Sequence, residues 1–309
     1  MTEAAKGVMA ILAACTVWGG ALLYYKHFAH IPAAEMLAHR SLWTAVTFVL
    51  LLAFQRRLGE VRALVTGPEF RLVILSGLTI ALNWGIFIWA VQSGHALEAS
   101  LGYYIFPLVA VVLGFAVLGE RLRGAQVFAI AVALAAVGVL SYGLRVPPFV
   151  ALSLAGSFAL YGMLKKRLRA SAVVSVTVEV LLVAPVMLVG LVVAELGLAG
   201  PGSGWLFHDA QHLILLPLAG LITGGPLILY SWGAQRVSLS TAGVAQYLNP
   251  TLQFASAALI LGEGVTRWHL IALAMIWGAL VVYTLSALRA EKFNRNAETS
   301  VGTSATTVI

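Results

Sequence analysis

Charged side chains are scarce in this sequence, since Asp, Glu, Lys and Arg together make up only 10% of its 309 residues. A soluble domain of ordinary composition carries about a quarter. The chain therefore lacks the polar side chains needed to cover a surface that faces water. Apolar residues account for 61% of the chain instead. This composition excludes a soluble enzyme, a nucleic-acid-binding module and a disordered chain, and it predicts an integral membrane protein.

Cysteine is almost absent, because Cys15 is the only one. No intramolecular disulfide and no thiolate metal cluster is therefore expected. His27, His30 and His39 lie without the spacing that is typical of a zinc site. A phosphate-binding Gly-Lys-Ser/Thr loop is missing too, which argues against ATP-driven activity of this chain. The sequence thus predicts no catalytic residues, no bound metal and no cofactor.

Long apolar runs are abundant by contrast. The hydrocarbon core of a membrane is about 30 Å thick and takes about 20 helical residues to cross. The runs are continuous rather than alternating, which favours helices over a β-barrel. We predict an all-α integral membrane protein with ten transmembrane helices. The predicted spans are residues 7–25, 33–54, 70–91, 96–118, 124–144, 148–164, 172–196, 212–235, 239–261 and 267–288.

The basic residues predict how these spans are oriented, because Lys and Arg concentrate in cytoplasmic loops. Most of the 19 basic residues lie before the first span, in the even-numbered loops or after the last span. The odd-numbered loops hold only Lys26, Arg145 and Arg267. Both termini are therefore predicted to be cytoplasmic. The polar tail at 290–309 is predicted to be disordered.

An internal repeat runs through the chain at an offset of 143 residues. Each copy contains five spans, and since five is odd, the second copy enters the membrane from the opposite side. The sequence predicts two inverted repeats, 1–145 and 146–289, an arrangement typical of secondary transporters. The recurring residues are Trp89, Gln92, Tyr104, Pro107 and the Leu-Gly-Glu motif at 118–120, which return as Trp232, Gln235, Tyr247, Pro250 and the same motif at 261–263.

The motifs of this repeat are similar to those of a known family. LEASLGYY at 97–104, Pro107-Leu108 and LGER at 118–121 resemble the RarD-type members of the EamA group, within the drug/metabolite transporter superfamily. The resemblance covers about residues 5–290. It implies a ten-helix inner-membrane permease of duplicated EamA units that moves small organic solutes. Further matching stretches are 18–19, 32–35, 39–40, 83–84, 88–91, Leu239-Ser240-Thr241, Gln246-Tyr247 and Pro250-Thr251.

Ionisable side chains within the spans are costly and mark candidate functional sites. Glu35, His39 and Arg40 lie in the second span, where Glu35 and His39 share a helix face. Glu98 begins the fourth span, and it either pairs with Arg40 or lines an outer vestibule. Glu179 lies roughly 10 Å inside the seventh span without an obvious basic partner. We therefore expect Glu179 to face a cavity or to carry a coupling proton.

Aromatic rings and amides supply the other half of a small-molecule site by stacking and hydrogen bonding. Membrane Trp and Tyr residues also serve as interfacial anchors, which is the alternative for part of this set. Pro107 and Pro250 interrupt the helical hydrogen bonds beside several of them. The cavity is expected between the halves, in spans 2–4 and 7–9. The candidates are Trp18, Asn83, Trp84, Trp89, Tyr103, Tyr104, Tyr161, Tyr230, Trp232, Gln246, Tyr247 and Asn249.

These observations favour a secondary active transporter of small organic metabolites or drugs that works by alternating access, with protons as a candidate coupling ion. The expected partners are a small-molecule substrate and membrane lipid, without nucleic acid, for a monomer or homodimer. One alternative is a membrane enzyme acting on a lipid or isoprenoid, although the cytoplasmic loops are short and basic. Another is a passive channel, although no ring of charge or filter-like glycine run is present.

Overall fold

The structure is a computed structural model that describes residues 2–118, 124–145, 147–200, 202–237, 242 and 245–304, excluding the side chains of 118, 126 and 286–304. These residues are mostly helical, and no strand occurs among them. Two motifs named above lie outside the described residues, at 119–121 and 239–241. The all-α prediction is thus confirmed for the described part of the chain.

Eight segments of the described chain are long and apolar enough to cross a membrane, and all eight coincide with predicted spans. They are α1, α2, α4, α5, α6, α8, the α9–α10 pair and the first part of α12. The helices are α1 (Glu3–His27), α2 (Ala33–Phe54), α3 (Leu58–Thr66), α4 (Phe70–Gln92), α5 (Ala96–Leu118), α6 (Gly124–Leu144), α7 (Phe149–Lys166), α8 (Ala172–Glu195), α9 (Ala210–Leu215), α10 (Leu218–Ala234), α11 (Leu248–Leu259) and α12 (Arg267–Ser304).

The other two predicted spans correspond to helices that are not among these eight segments. The span predicted at 148–164 corresponds to α7, which has 18 residues and follows Pro148. The span predicted at 239–261 is described only in part, and its helix α11 has 12 residues. The total of ten transmembrane helices therefore stays a prediction. The backbone of α12 continues as helix to Ser304, into the tail that the sequence predicts to be disordered.

The helices pack in pairs that join the two halves of the chain. Helix α1 packs against α10 and α11, and α7 packs against α4 and α5. Helix α2 packs against α8, and α6 packs against α12. Glycines allow the closest approaches: a Cβ on Gly102 of α5 would lie 2.7 Å from the Ala151 carbonyl oxygen of α7. Small residues are used in this way wherever membrane helices pack closely.

The loops at one end of this bundle are close to one another. The α1–α2, α4–α5 and α8–α9 connections lie at this end, which the charge distribution predicts to face outward, and we call it the predicted outer end. Glu35 at the start of α2 contacts the backbone at 204–205, and Glu263 contacts the backbone at 96–97. The first and second halves of the chain are therefore in direct contact there.

Candidate substrate site

A cavity of about 460 Å³ lies between the two halves of the chain, a volume typical of small-molecule sites. The predicted spans 2–4 and 7–9 all contribute to its wall. Helices α1, α7 and α12, from spans 1, 6 and 10, contribute as well. The expected wall did not include these three spans, although Trp18 and Tyr161 were among the candidate residues. The predicted residues that line the cavity are Trp18, Arg40, Asn83, Trp84, Tyr103, Tyr161, Tyr230, Gln246, Tyr247 and Asn249.

The amide of Asn83 holds three helices together at the cavity wall. Its Nδ2 donates to the Leu154 carbonyl oxygen at 3.1 Å and to Ser157 Oγ at 2.9 Å, both in α7. Its Oδ1 accepts a hydrogen bond of 3.1 Å from the Tyr103 hydroxyl of α5. Asn83 is fully buried. Its bonds satisfy both ends of the amide and fix the position of the Tyr103 hydroxyl.

The second half of the chain supplies a polar group that the sequence analysis missed. Gln253 of α11 lines the cavity, and its Nε2 donates to Asn249 Oδ1 at 3.0 Å. Its Oε1 is buried without a hydrogen-bond partner among the described residues. A buried acceptor of this kind is costly unless a ligand or water donates to it. The spacing of four residues from Asn249, on one helix face, was the available signal.

Arg40 brings a positive charge to the cavity wall. Its side chain is buried, with the guanidinium carbon 4.2 Å from the Trp84 ring centroid and 5.5 Å from that of Tyr25. Such cation–π contacts stabilise the charged guanidinium group, and the stabilisation is larger where water is excluded. Among the described residues no carboxylate forms an ion pair with Arg40, and its Nε has no hydrogen-bond partner. Within the described part of the chain, the cavity therefore offers a cation without a counter-ion to a ligand.

The suggested ion pair between Arg40 and Glu98 is absent from the described part of the chain. Arg40 lies over Trp84 instead, whereas the charged groups that face Glu98 are His95 and Glu263. Glu98 is partly buried at the beginning of α5 and does not line the cavity. The pairing was wrong because Arg40 extends toward α4 and α1 rather than toward the N-terminus of α5.

Glu35 and His39 also lie away from the cavity. The Glu35 carboxylate accepts hydrogen bonds from the backbone N–H groups of Trp205 at 2.9 Å and Gly204 at 3.2 Å. His39 Nε2 lies 3.9 Å from Glu35 Oε1. Both side chains are buried. Glu35 therefore fastens the α8–α9 connection of the second half to α2 of the first half.

Glu263 makes the reciprocal contact, from the second half of the chain to the first. We call the backbone contacts of Glu35 and of Glu263 the Glu35 clamp and the Glu263 clamp. Its two carboxylate oxygens accept hydrogen bonds from the backbone N–H groups of Ala96 at 2.9 Å and Leu97 at 2.8 Å. These N–H groups belong to the first turn of α5, where the helix has free donors and attracts a negative charge. The Glu35 and Glu263 clamps thus hold the two halves together at the predicted outer end.

Glu179 has a basic partner, contrary to the prediction from the sequence. Lys165 Nζ lies 2.9 Å from its Oε1, which also accepts a hydrogen bond of 2.7 Å from Ser76 Oγ. The Tyr161 hydroxyl donates to Oε2 at 3.1 Å. The prediction was wrong because Lys165, near the end of α7, extends its long side chain back along the bundle to α8. Glu179 itself is fully buried and does not line the cavity.

Three predicted aromatic residues lie outside the cavity wall. Trp89 is 48% exposed and stacks on His95, and Trp232 is 41% exposed beneath the guanidinium of Arg236. Both positions match the alternative of interfacial anchors. Tyr104 is buried, and its hydroxyl donates to Thr251 Oγ1 at 2.8 Å, which joins α5 to α11.

Comparison with known proteins connects this architecture to a family. Residues 5–142 match the model of the EamA-like transporter family, and residues 147–285 match the same model again. The chain belongs to this family. The resemblance inferred from LEASLGYY and the Leu-Gly-Glu motifs is therefore confirmed.

The curated relatives cover nearly the whole of this EamA-like chain. An "Uncharacterized transporter" of Vibrio cholerae is 38% identical over 96% of this chain and 97% of its own. "Protein RarD" of Streptomyces exfoliatus is 38% identical over 95% and 92%. A crystal structure that is 19% identical covers 92% of this chain and 98% of its own with a TM-score of 0.60, and it supports the fold. The protein is thus a RarD-type, multi-pass membrane transporter of the bacterial inner membrane.

Proposed function

We propose that this EamA-like protein is a secondary active transporter of small organic solutes that carry an apolar or aromatic body and one anionic group. The observation that carries this proposal is the cavity between the halves, with Arg40 in its wall and no carboxylate paired with it among the described residues. The rings of Trp84, Tyr103 and Tyr247 offer stacking surfaces for the apolar body. Buried sites of this kind bind by apolar contact and gain orientation from a few polar groups.

Alternating access by two inverted repeats, 1–145 and 146–289, is the mechanism that we propose. The helix packing supports it, because the contact of α1 with α11 has its counterpart in the contact of α7 with α5. The contacts of α1 with α10 and of α7 with α4 correspond in the same way. In such transporters the two repeats exchange conformations around a fixed site. The Glu35 and Glu263 clamps would then have to open when the cavity faces outward.

The inverted repeat predicts opposite membrane sides for residues related by 143 positions. Gln55 and Leu198 are such a pair, and both are exposed. With the buried Cys15 replaced by Ser, we expect a membrane-impermeant maleimide to label Leu198→Cys in intact cells but not Gln55→Cys. Both cysteines should react after the membrane is permeabilised, which controls for reactivity. Equal labelling of both in intact cells would contradict the inverted arrangement.

We propose protons as the coupling ion and Glu179 as the group that responds to them. Tyr161 lines the cavity, and its hydroxyl donates a hydrogen bond to Glu179. The Tyr161 side chain therefore connects the Glu179 carboxylate to the cavity. Lys165 on its other side lies near the end of α7 that is predicted to be cytoplasmic. A substrate that displaces Tyr161 would change the hydrogen bonding of Glu179. A carboxylate and an ammonium group held together in this way can exchange a proton when water reaches either one.

Measuring the transport of a panel of solutes by the protein in proteoliposomes tests this function directly. The panel should contain pairs of solutes that share an apolar or aromatic body and differ only in a carboxylate group. Accumulation of the anionic member, with an imposed proton gradient and not without it, is the expected result. Equal movement of both members down their gradients, with no accumulation, would favour the passive channel instead.

The cavity wall predicts different effects for two aromatic residues that the sequence analysis treated alike. Tyr247 lines the cavity, whereas Trp89 lies outside it. Tyr247→Ala is expected to raise the substrate KM about 5- to 10-fold, since an aromatic contact contributes about 1 kcal/mol. Trp89→Ala serves as the matched control and should leave KM unchanged. Equal KM values for Tyr247→Ala and the unaltered protein would show that the Tyr247 ring does not contribute to substrate binding.

A further inference from the structure

Four histidines come together at the predicted outer end of the bundle. His27 ends α1 and His30 lies just after it, whereas His208 lies just before α9 and His212 lies within it. His30 Nε2 is 3.0 Å from His212 Nε2, although the two residues are 182 positions apart. The sequence analysis predicted no metal site, because the spacing of His27, His30 and His39 could not reveal this pairing.

Asp209 fixes the orientation and the tautomer of His212. Its Oδ1 accepts hydrogen bonds of 2.8 Å from the backbone N–H and from ring Nδ1 of His212. With Nδ1 donating to this carboxylate, the other ring nitrogen of His212, Nε2, faces Nε2 of His30. A carboxylate behind a histidine is the usual outer shell of a metal-binding imidazole.

The ring of His30 packs in the same cluster as the rings of His208 and His212. Its ring lies 4.6 Å from the ring of Trp205, which also packs against His208 at 4.6 Å and His212 at 5.2 Å between centroids. Trp205 is therefore a common support for three imidazoles.

The distances fit a tetrahedral transition metal. Two nitrogen ligands of tetrahedral zinc lie about 3.3 Å apart, because each Zn–N bond is about 2.0–2.1 Å long. The two Nε2 atoms of His30 and His212 need only separate slightly from 3.0 Å to meet this value. Ligand atoms of His208, Asp209 and His212 lie within 4.8 Å of one another. The side chain of His208 is 58% exposed, so a rotation about its side-chain bonds would bring a ring nitrogen toward the metal.

We propose that His30, His212 and His208 form a binding site for Zn²⁺ or a similar divalent transition metal, with Asp209 supporting His212 and water completing the coordination. Nitrogen ligands favour such ions over Mg²⁺ and Ca²⁺, which prefer oxygen. The site joins the first half of the chain, through His30, to the second half, through His208 and His212. A bound metal would therefore reinforce the Glu35 and Glu263 clamps and hold the predicted outer end closed.

Calorimetric titration of the tag-free, EDTA-treated protein with Zn²⁺ at neutral pH tests this site. We expect one Zn²⁺ per chain, at least a tenfold loss of affinity in His30→Ala and His212→Gln, and a loss of about 10- to 100-fold in Asp209→Asn. His95→Ala is the matched control, because His95 lies at the same end but outside the cluster. Its affinity for Zn²⁺ should equal that of the unaltered protein.

Thermal unfolding provides a second measurement that does not depend on transport. Zn²⁺ should raise the melting temperature of the unaltered protein and of His95→Ala, because a ligand of the folded state stabilises it. It should not raise that of His30→Ala, which we expect to fold because the His30 side chain is exposed. Absence of saturable Zn²⁺ binding, equal losses in His30→Ala and His95→Ala, or equally tight binding of Mg²⁺ would each overturn the proposal.

Discussion

Glu179→Gln is expected to destabilise the protein and to abolish substrate accumulation driven by a proton gradient. The Lys165 and Glu179 side chains are 19% and 0% exposed, so the ammonium group would lose its counter-ion in a buried place. Removing one partner of a buried ion pair costs about 3–5 kcal/mol. The melting temperature in detergent measures the first effect. Accumulation in proteoliposomes with an imposed pH gradient measures the second.

Two control variants separate the roles of this pair. Lys165→Met with Glu179→Gln removes both charges and should recover much of the stability without recovering gradient-driven accumulation. Glu60→Gln breaks an exposed pair with Arg57, with 2.6 Å between Nε and Oε1, and should change stability by less than about 1 kcal/mol. A stable Glu179→Gln variant with full gradient-driven accumulation would contradict both proposed roles of Glu179.

Exchange of substrate for substrate, without a gradient, distinguishes coupling from support of the fold. If the double variant of Lys165 and Glu179 still exchanges substrate but no longer accumulates it, Glu179 acts in coupling. If accumulation returns together with stability, the pair is structural. The hydrogen bond of 3.1 Å from Tyr161 leads us to expect the first result, because it connects Glu179 to the cavity wall.

Arg40→Met is expected to weaken binding of an anionic substrate by roughly 30-fold or more. The reason is that a buried charge–charge contact contributes about 2 kcal/mol or more when one partner is removed. Binding of the neutral analogue with the same apolar body should change little, since methionine keeps an unbranched apolar stem and removes only the charged end of the side chain. The measurement is the substrate concentration that half-saturates uptake, for both solutes, in proteoliposomes.

Arg236→Met is the matched control for Arg40→Met. Arg236 also lies over a tryptophan, with its guanidinium carbon 3.7 Å from the Trp232 ring centroid, but it does not line the cavity. It should leave uptake of both solutes unchanged. Arg40→Lys keeps the charge without the planar guanidinium and is expected to give an intermediate affinity. Equal weakening of the anionic and neutral solutes by Arg40→Met would assign Arg40 to packing rather than to recognition.

Several features of the site were accessible from the sequence, because they depend on residue type along one helix. Asn83, Trp84 and Tyr103 were predicted from polar and aromatic side chains within apolar runs, and all three line the cavity. Trp89 and Trp232 were predicted by the same rule but lie outside the cavity. The rule identifies the side chain that is unusual in a membrane span, but it does not indicate which face of the helix carries it.

The fold class follows from the sequence alone, since crossing a membrane requires about 20 apolar residues whatever the rest of the chain does. For the same reason eight segments of the described chain coincide with predicted spans. Family membership was likewise accessible, because motifs such as LEASLGYY are local. Burial of apolar surface and internal backbone hydrogen bonding are properties of each segment by itself.

Only the tertiary structure decided which charged and polar groups meet. Lys165 pairs with Glu179, Glu263 caps the first turn of α5, and His30 meets His212 across 182 positions. Each of these contacts depends on the rotation and depth of two helices, which are set by how small residues such as Gly102 allow them to pack. Hydrogen bonds and ion pairs act over only a few ångströms, so residues that the sequence separates widely become partners only after the helices have assembled.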